Sequence, residues 1–124
     1  MTPKDVKAYF NEINNRQESA EEIRYDKVVF KDDTCPEESK CHENVAHWIR
    51  ENPSDTALKG WLVWGQLCAH SIICNENGEK FDITPMDGDQ RPKFIVHVGS
   101  DATFEKVREN HPTYLLDSRP LPRL

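Results

Sequence analysis

A chain of 124 residues, 36% hydrophobic and 31% charged, fits one globular domain able to bury a core without disulfide staples. Its net charge of −6, with basic residues scattered apart from Arg119 and Arg123, argues against nucleic acid as the main partner. No window approaches the roughly 20 apolar residues of a membrane span, and MTPKDVKAYFNEI lacks an apolar signal core, so no membrane partner is expected and the cytoplasm is the expected compartment.

Residues 3–16 read as a first helix, with Val6, Tyr9, Phe10 and Ile13 making one apolar face. A polar connector, residues 17–24, leads to YDKVVF, an expected short strand. The charged loop KDDTCPEESK, broken by Pro36, ends where a second helix begins at Cys41. In CHENVAHWIREN the residues Cys41, Val45, Trp48 and Ile49 share a face. Ser39 is the expected cap and places Cys41 in the first turn, while Glu43 suits the positive end of the helix dipole. Asn52-Pro53 ends the helix, because the residue before proline is pushed out of helical geometry. LKGWLVWG reads as a strand buried on both faces. AHSIIC, NENG and EKFDITP then make a hairpin, MDGDQRP a loop and KFIVHV a further strand. DATFEKVREN reads as a closing helix capped by Asp101. This order predicts one α+β domain over residues 1–116, with N-terminal helices packed on an antiparallel sheet, followed by a proline-containing tail, residues 117–124.

Cys41, His70 and Asp82 carry the chemistry. A thiol beside the open N–H groups of a helix start has its thiolate favoured, and the same amides can receive an oxyanion. The thiol also needs a base, and the base an orienting partner. Glu76-Asn77-Gly78 suits a three-residue hairpin loop with glycine in the left-handed region. That register pairs Asn75 with Glu79 and Ile72 with Asp82, and sets His70 opposite Thr84. His70 and Asp82 then share a face as diagonal neighbours. A two-residue Asn77-Gly78 turn would put them on opposite faces.

These segments also resemble a known superfamily. CHENVAHWI, KGWLVWG and AHSIICNENGEKFDITP are similar, in order and local context, to papain-like and transglutaminase-like proteins. The resemblance covers residues 35–86. It implies a papain-like or transglutaminase-like core, with Cys41 as nucleophile, His70 as base and Asp82 as orienting acid. It further implies thiol-dependent acyl chemistry at an amide bond of a peptide or protein substrate, ending in hydrolysis or in transfer to an amine. The oxyanion donor is unassigned beyond the Cys41 backbone amide, since Gln17 lies far upstream and Trp61 and Trp64 follow the cysteine.

Trp61, Trp64 and Asn44 are the candidate substrate-binding residues. His42 and His47 sit off the apolar stripe of their helix and read as solvated, and His97, alternating with Val96 and Val98, reads as solvent-facing. Tetrahedral zinc would accept Cys35, Cys41, His42 and His70, but six-residue steps between cysteines are not knuckle spacing, so no metal or cofactor is expected. In a reducing compartment Cys35, Cys68 and Cys74 are expected as thiols. The competing reading is a non-catalytic protein-binding domain on the same scaffold.

Overall fold

The computed structural model describes residues 1–88 and 91–116; the proline-containing tail, residues 117–124, lies outside the described residues. The architecture is mixed α+β. In chain order the elements are α1 (Pro3–Asn15), β1 (Arg24–Tyr25), α2 (Cys41–Glu51), β2 (Thr56–Val63), β3 (Gln66–Cys74), β4 (Lys80–Asp82), β5 (Lys93–Val96), α3 (Asp101–Asn110) and β6 (Thr113–Leu115). The chain forms two compact units, and β2 and β3 each give residues to both. No helix among the described residues is long and apolar enough to cross a membrane.

The first unit comprises Met1–Glu21, Gly60–Ala69 and the chain from Pro92 onward. Thr2 opens α1 by accepting from the Asp5 amide, while the Asp5 carboxylate accepts from the Thr2 amide, and Pro3 supplies the preset first helical φ. The helix then buries Tyr9, Phe10 and Ile13. Phe10 stacks on Tyr114 at 3.9 Å and meets Trp61 edge-on at 5.0 Å. β5 pairs antiparallel with β2, with Gly60 opposite Val96, and β6 pairs antiparallel with the start of β3, with Leu67 opposite Tyr114. Two details differ from the sequence reading. Ser100, not Asp101, caps α3, its hydroxyl accepting from the Thr103 amide at 3.1 Å. His97 is not solvent-facing: its side chain is 8% exposed, and its Nε2 lies 2.7 Å from Asp101 Oδ1. The strand ends at Val96, so the alternation stops before it reaches the histidine.

The second unit comprises Glu22–Lys59 and His70–Arg91. Phe30, Val45, Ile73, Phe81 and Ile83 form its core, with Trp48 and Ile49 packed against it. The three-residue loop forms as the glycine chemistry requires, with Gly78 at φ 83 and the Asn75 amide donating to the Glu79 carbonyl at 2.9 Å. Ile73 pairs with Phe81 and Cys74 with Lys80, which is the expected register. β1 pairs parallel with β4, Arg24 opposite Phe81, so the sheet is mixed rather than antiparallel. Only the first residue of YDKVVF remains in a strand; thereafter the chain leaves the ladder and buries Phe30 instead. Ser39 is not the cap of α2. That position falls to Lys40, with no side-chain cap bond, and Ser39 takes a left-handed φ of 65 that turns the loop into the helix.

Candidate active site

Cys41 is the first residue of α2, His70 lies on β3 and Asp82 closes β4; all three belong to the second unit. The hairpin register sets the last two on one face, and His70 Nε2 lies 2.6 Å from Asp82 Oδ2, both side chains buried. Asp82 is itself held from two further sides. Its Oδ1 accepts from the Thr84 amide at 3.0 Å and its Oδ2 from the Arg91 guanidinium at 2.9 Å. The same Arg91 nitrogen donates to the Thr84 carbonyl at 2.8 Å, and the guanidinium lies 4.7 Å from the centre of the Tyr25 ring.

Burial opposes ionisation at all three positions, and at all three the neighbours outweigh it. Burial raises the Cys41 thiol, but hydrogen bonds with His42 and His70, and the charge of both, bring it down to about 6. Burial lowers His70, but its bonds to Asp82 and Cys41 and their negative charge raise it to about 9. Asp82 stays below its ordinary value, because His70, the Thr84 amide and Arg91 overcome the effect of burial. Between those two values the favoured state is a thiolate–imidazolium pair.

Asn44 holds the approach to the site. Its Nδ2 donates to the Glu37 carbonyl at 2.8 Å and to Thr84 Oγ1 at 3.0 Å, and its Oδ1 accepts from the Glu37 amide at 3.0 Å. It is buried, and its amide ties the loop before Cys41 to the segment after Asp82. Asn44→Ala should lower unfolding free energy in urea by about 2–3 kcal/mol, since Thr84 and the Glu37 backbone lose a part-buried partner. A change below about 0.5 kcal/mol would show that the bracket carries no weight.

The tryptophans are placed elsewhere. Trp61 is fully buried in the core of the first unit and its indole N–H donates to the Tyr9 hydroxyl at 3.0 Å, so it has no surface to offer a ligand. Trp64 is 63% exposed at the tight turn between β2 and β3. His42 is the residue the helical pattern hides. It is half-buried rather than solvated, its Nδ1 lies 2.6 Å from Ser71 Oγ, and it hydrogen-bonds the Cys41 thiol. The sulfur thus has a histidine partner from its own helix and another from β3. His47 is also half-buried, stacked on Phe30 at 3.7 Å. Arg91 is hidden as well: nothing in the charged stretch MDGDQRP signals that it reaches Asp82. All four cysteines are unbridged.

Comparison with protein-family models, curated proteins and solved structures finds no match.

Proposed function

We propose that the chain is a cysteine-nucleophile enzyme acting on amide or related acyl bonds of a peptide or protein substrate, on a core of papain-like or transglutaminase-like type, in the cytoplasm. The observation that carries this reading is the chain of contacts from Cys41 through His70 to Asp82, with the thiol brought down to about 6 despite burial. A cysteine kept only to fill a core gains nothing from two histidines on its sulfur, and burial alone would make it inert. In the proposed mechanism the Cys41 thiolate attacks the acyl carbon, and the carbon–nitrogen bond breaks. The His70 imidazolium then gives its proton to the departing amine, leaving a thioester. Water or a second amine, deprotonated by His70, attacks that thioester and returns the thiol. Asp82 keeps the ring oriented and favours its charged form. The Cys41 backbone amide, at the first position of α2, is the oxyanion donor in this reading.

A second reading, a protein-binding domain without turnover, draws on the burial of Cys41, which is 8% exposed. Activated acyl esters separate the two. The enzyme reading expects a burst of leaving group equal to the protein present and an acyl mass on Cys41, both absent in Cys41→Ala. Added amine that captures the acyl group would assign transfer rather than hydrolysis. No acylation of Cys41 by any ester in the panel would leave the binding reading.

A further inference from the structure

α2 carries the thiol at its first residue and a different group of donors at its far end. His47 and Glu51, one helical turn apart, converge with Asp32 from the preceding loop. His47 Nε2 lies 3.2 Å from Glu51 Oε2 and 3.6 Å from Asp32 Oδ2, and the three donor atoms all lie within 4.8 Å of one another. Zinc bonds of about 2.0–2.2 Å in a tetrahedron put neighbouring donor atoms about 3.3–3.6 Å apart. The two close edges bracket that spacing. We propose that Asp32, His47 and Glu51 form a binding site for one divalent transition-metal cation of the zinc type, with water in the fourth position.

Each donor is aimed by a contact outside the trio. The His47 ring is stacked on Phe30 at 3.7 Å and 10° between planes, which fixes the direction of Nε2. Asp32 Oδ1 accepts from the Thr34 amide at 3.0 Å and from its hydroxyl at 2.5 Å, while Oδ2 is turned to His47. The Glu51 carboxylate accepts from the Lys31 amide at 3.0 and 3.1 Å. The Lys31 ammonium donates to the Glu51 backbone carbonyl, not to the carboxylate, so its charge does not take the cation's place on the donor oxygens. Two carboxylates and a neutral imidazole balance a divalent charge, and imidazole favours transition metals over magnesium or calcium. Asp32, with a side chain 55% exposed, leaves an aqueous path to the open position. The plain alternative is that the three side chains contact only one another, with no ion. The sequence reading expected no metal on the spacing of the cysteines, and took His47 for a solvated helix residue.

Cobalt(II) titration of the full chain, followed by visible absorption and then displaced with zinc, tests the site. The expected result is saturation at one cobalt per chain with tetrahedral intensity and without a sulfur-to-cobalt charge-transfer band. Affinity should fall by about tenfold or more in His47→Gln and in Asp32→Asn, and stay unchanged in Cys35→Ser. Asp32 is exposed, so its variant keeps the test open should His47→Gln fail to fold. Absence of saturable binding, a thiolate band, or equal binding by wild type and Asp32→Asn would each overturn the proposal.

Discussion

Replacing His70 with alanine should raise the pH midpoint of Cys41 ionisation from about 6 to the ordinary thiol value or above it. The burial that disfavours a thiolate remains in the variant, while the hydrogen bond and charge that overcome it are gone. His42 stays on the sulfur and limits the rise. A rise from about 6 to about 8.5 takes the thiolate fraction at pH 7 from about nine-tenths to about 3%, roughly thirtyfold lower. Thiolate absorbance in the ultraviolet reads this directly. The rate of alkylation moves less, because a more basic thiolate is the better nucleophile. The fold should survive, since Arg91 and the Thr84 amide still face the Asp82 carboxylate. Asp82→Asn should move the midpoint the same way but less far, because an amide can hold the imidazole but does not favour its positive charge. The double variant should resemble His70→Ala, as groups acting in series are not additive. Identical titrations for wild type and Asp82→Asn would remove Asp82 from the site and leave a Cys-His dyad.

Gly60→Ala should destabilise the protein by about 3 kcal/mol or more in urea unfolding. A Cβ at Gly60 would lie 2.1 Å from the Ile95 carbonyl oxygen and 2.8 Å from Phe94 Cζ. The oxygen belongs to β5, paired to β2 at this position, so it cannot retreat without opening the ladder. Gly78→Ala is the useful contrast. Gly78 has φ 83 and open space around it, so only backbone strain of about 1 kcal/mol applies. If the two variants cost the same, the close approach of β5 to β2 is not what Gly60 serves.

The parts of the site legible in the sequence are those set by local chemistry. Glu76-Asn77-Gly78 suits a three-residue loop, and that loop length sets which faces His70 and Asp82 share, so their contact follows from residues within one hairpin once that turn is chosen over the two-residue one. The start of α2 at Cys41 was legible from its apolar stripe. Its cap was not, because Ser39 adopts a left-handed turn that no helix-start rule anticipates. Contacts made across the chain were silent. His42 is recruited by Ser71, 29 positions away, and Asn44 by Thr84, 40 positions away, and neither partner alters the helical pattern read from α2. Trp61 is a candidate substrate-binding residue on the sequence because tryptophan, an apolar ring with a polar N–H, suits wet-edged apolar sites. Its N–H meets Tyr9, 52 positions earlier, and that pairing places it in the core. The parallel pairing of β1 with β4 was equally hidden, since a two-residue strand has too little periodicity to reveal its partner.

The most direct measurement is the pH dependence of Cys41 alkylation in the unmodified protein, with labelling located by peptide mass. A midpoint near 6 is expected, set by His42 and His70 on the sulfur, and a second change near 9 as His70 loses its proton. A single midpoint at or above the ordinary thiol value of about 8.5 would contradict it and make Cys41 a buried structural cysteine.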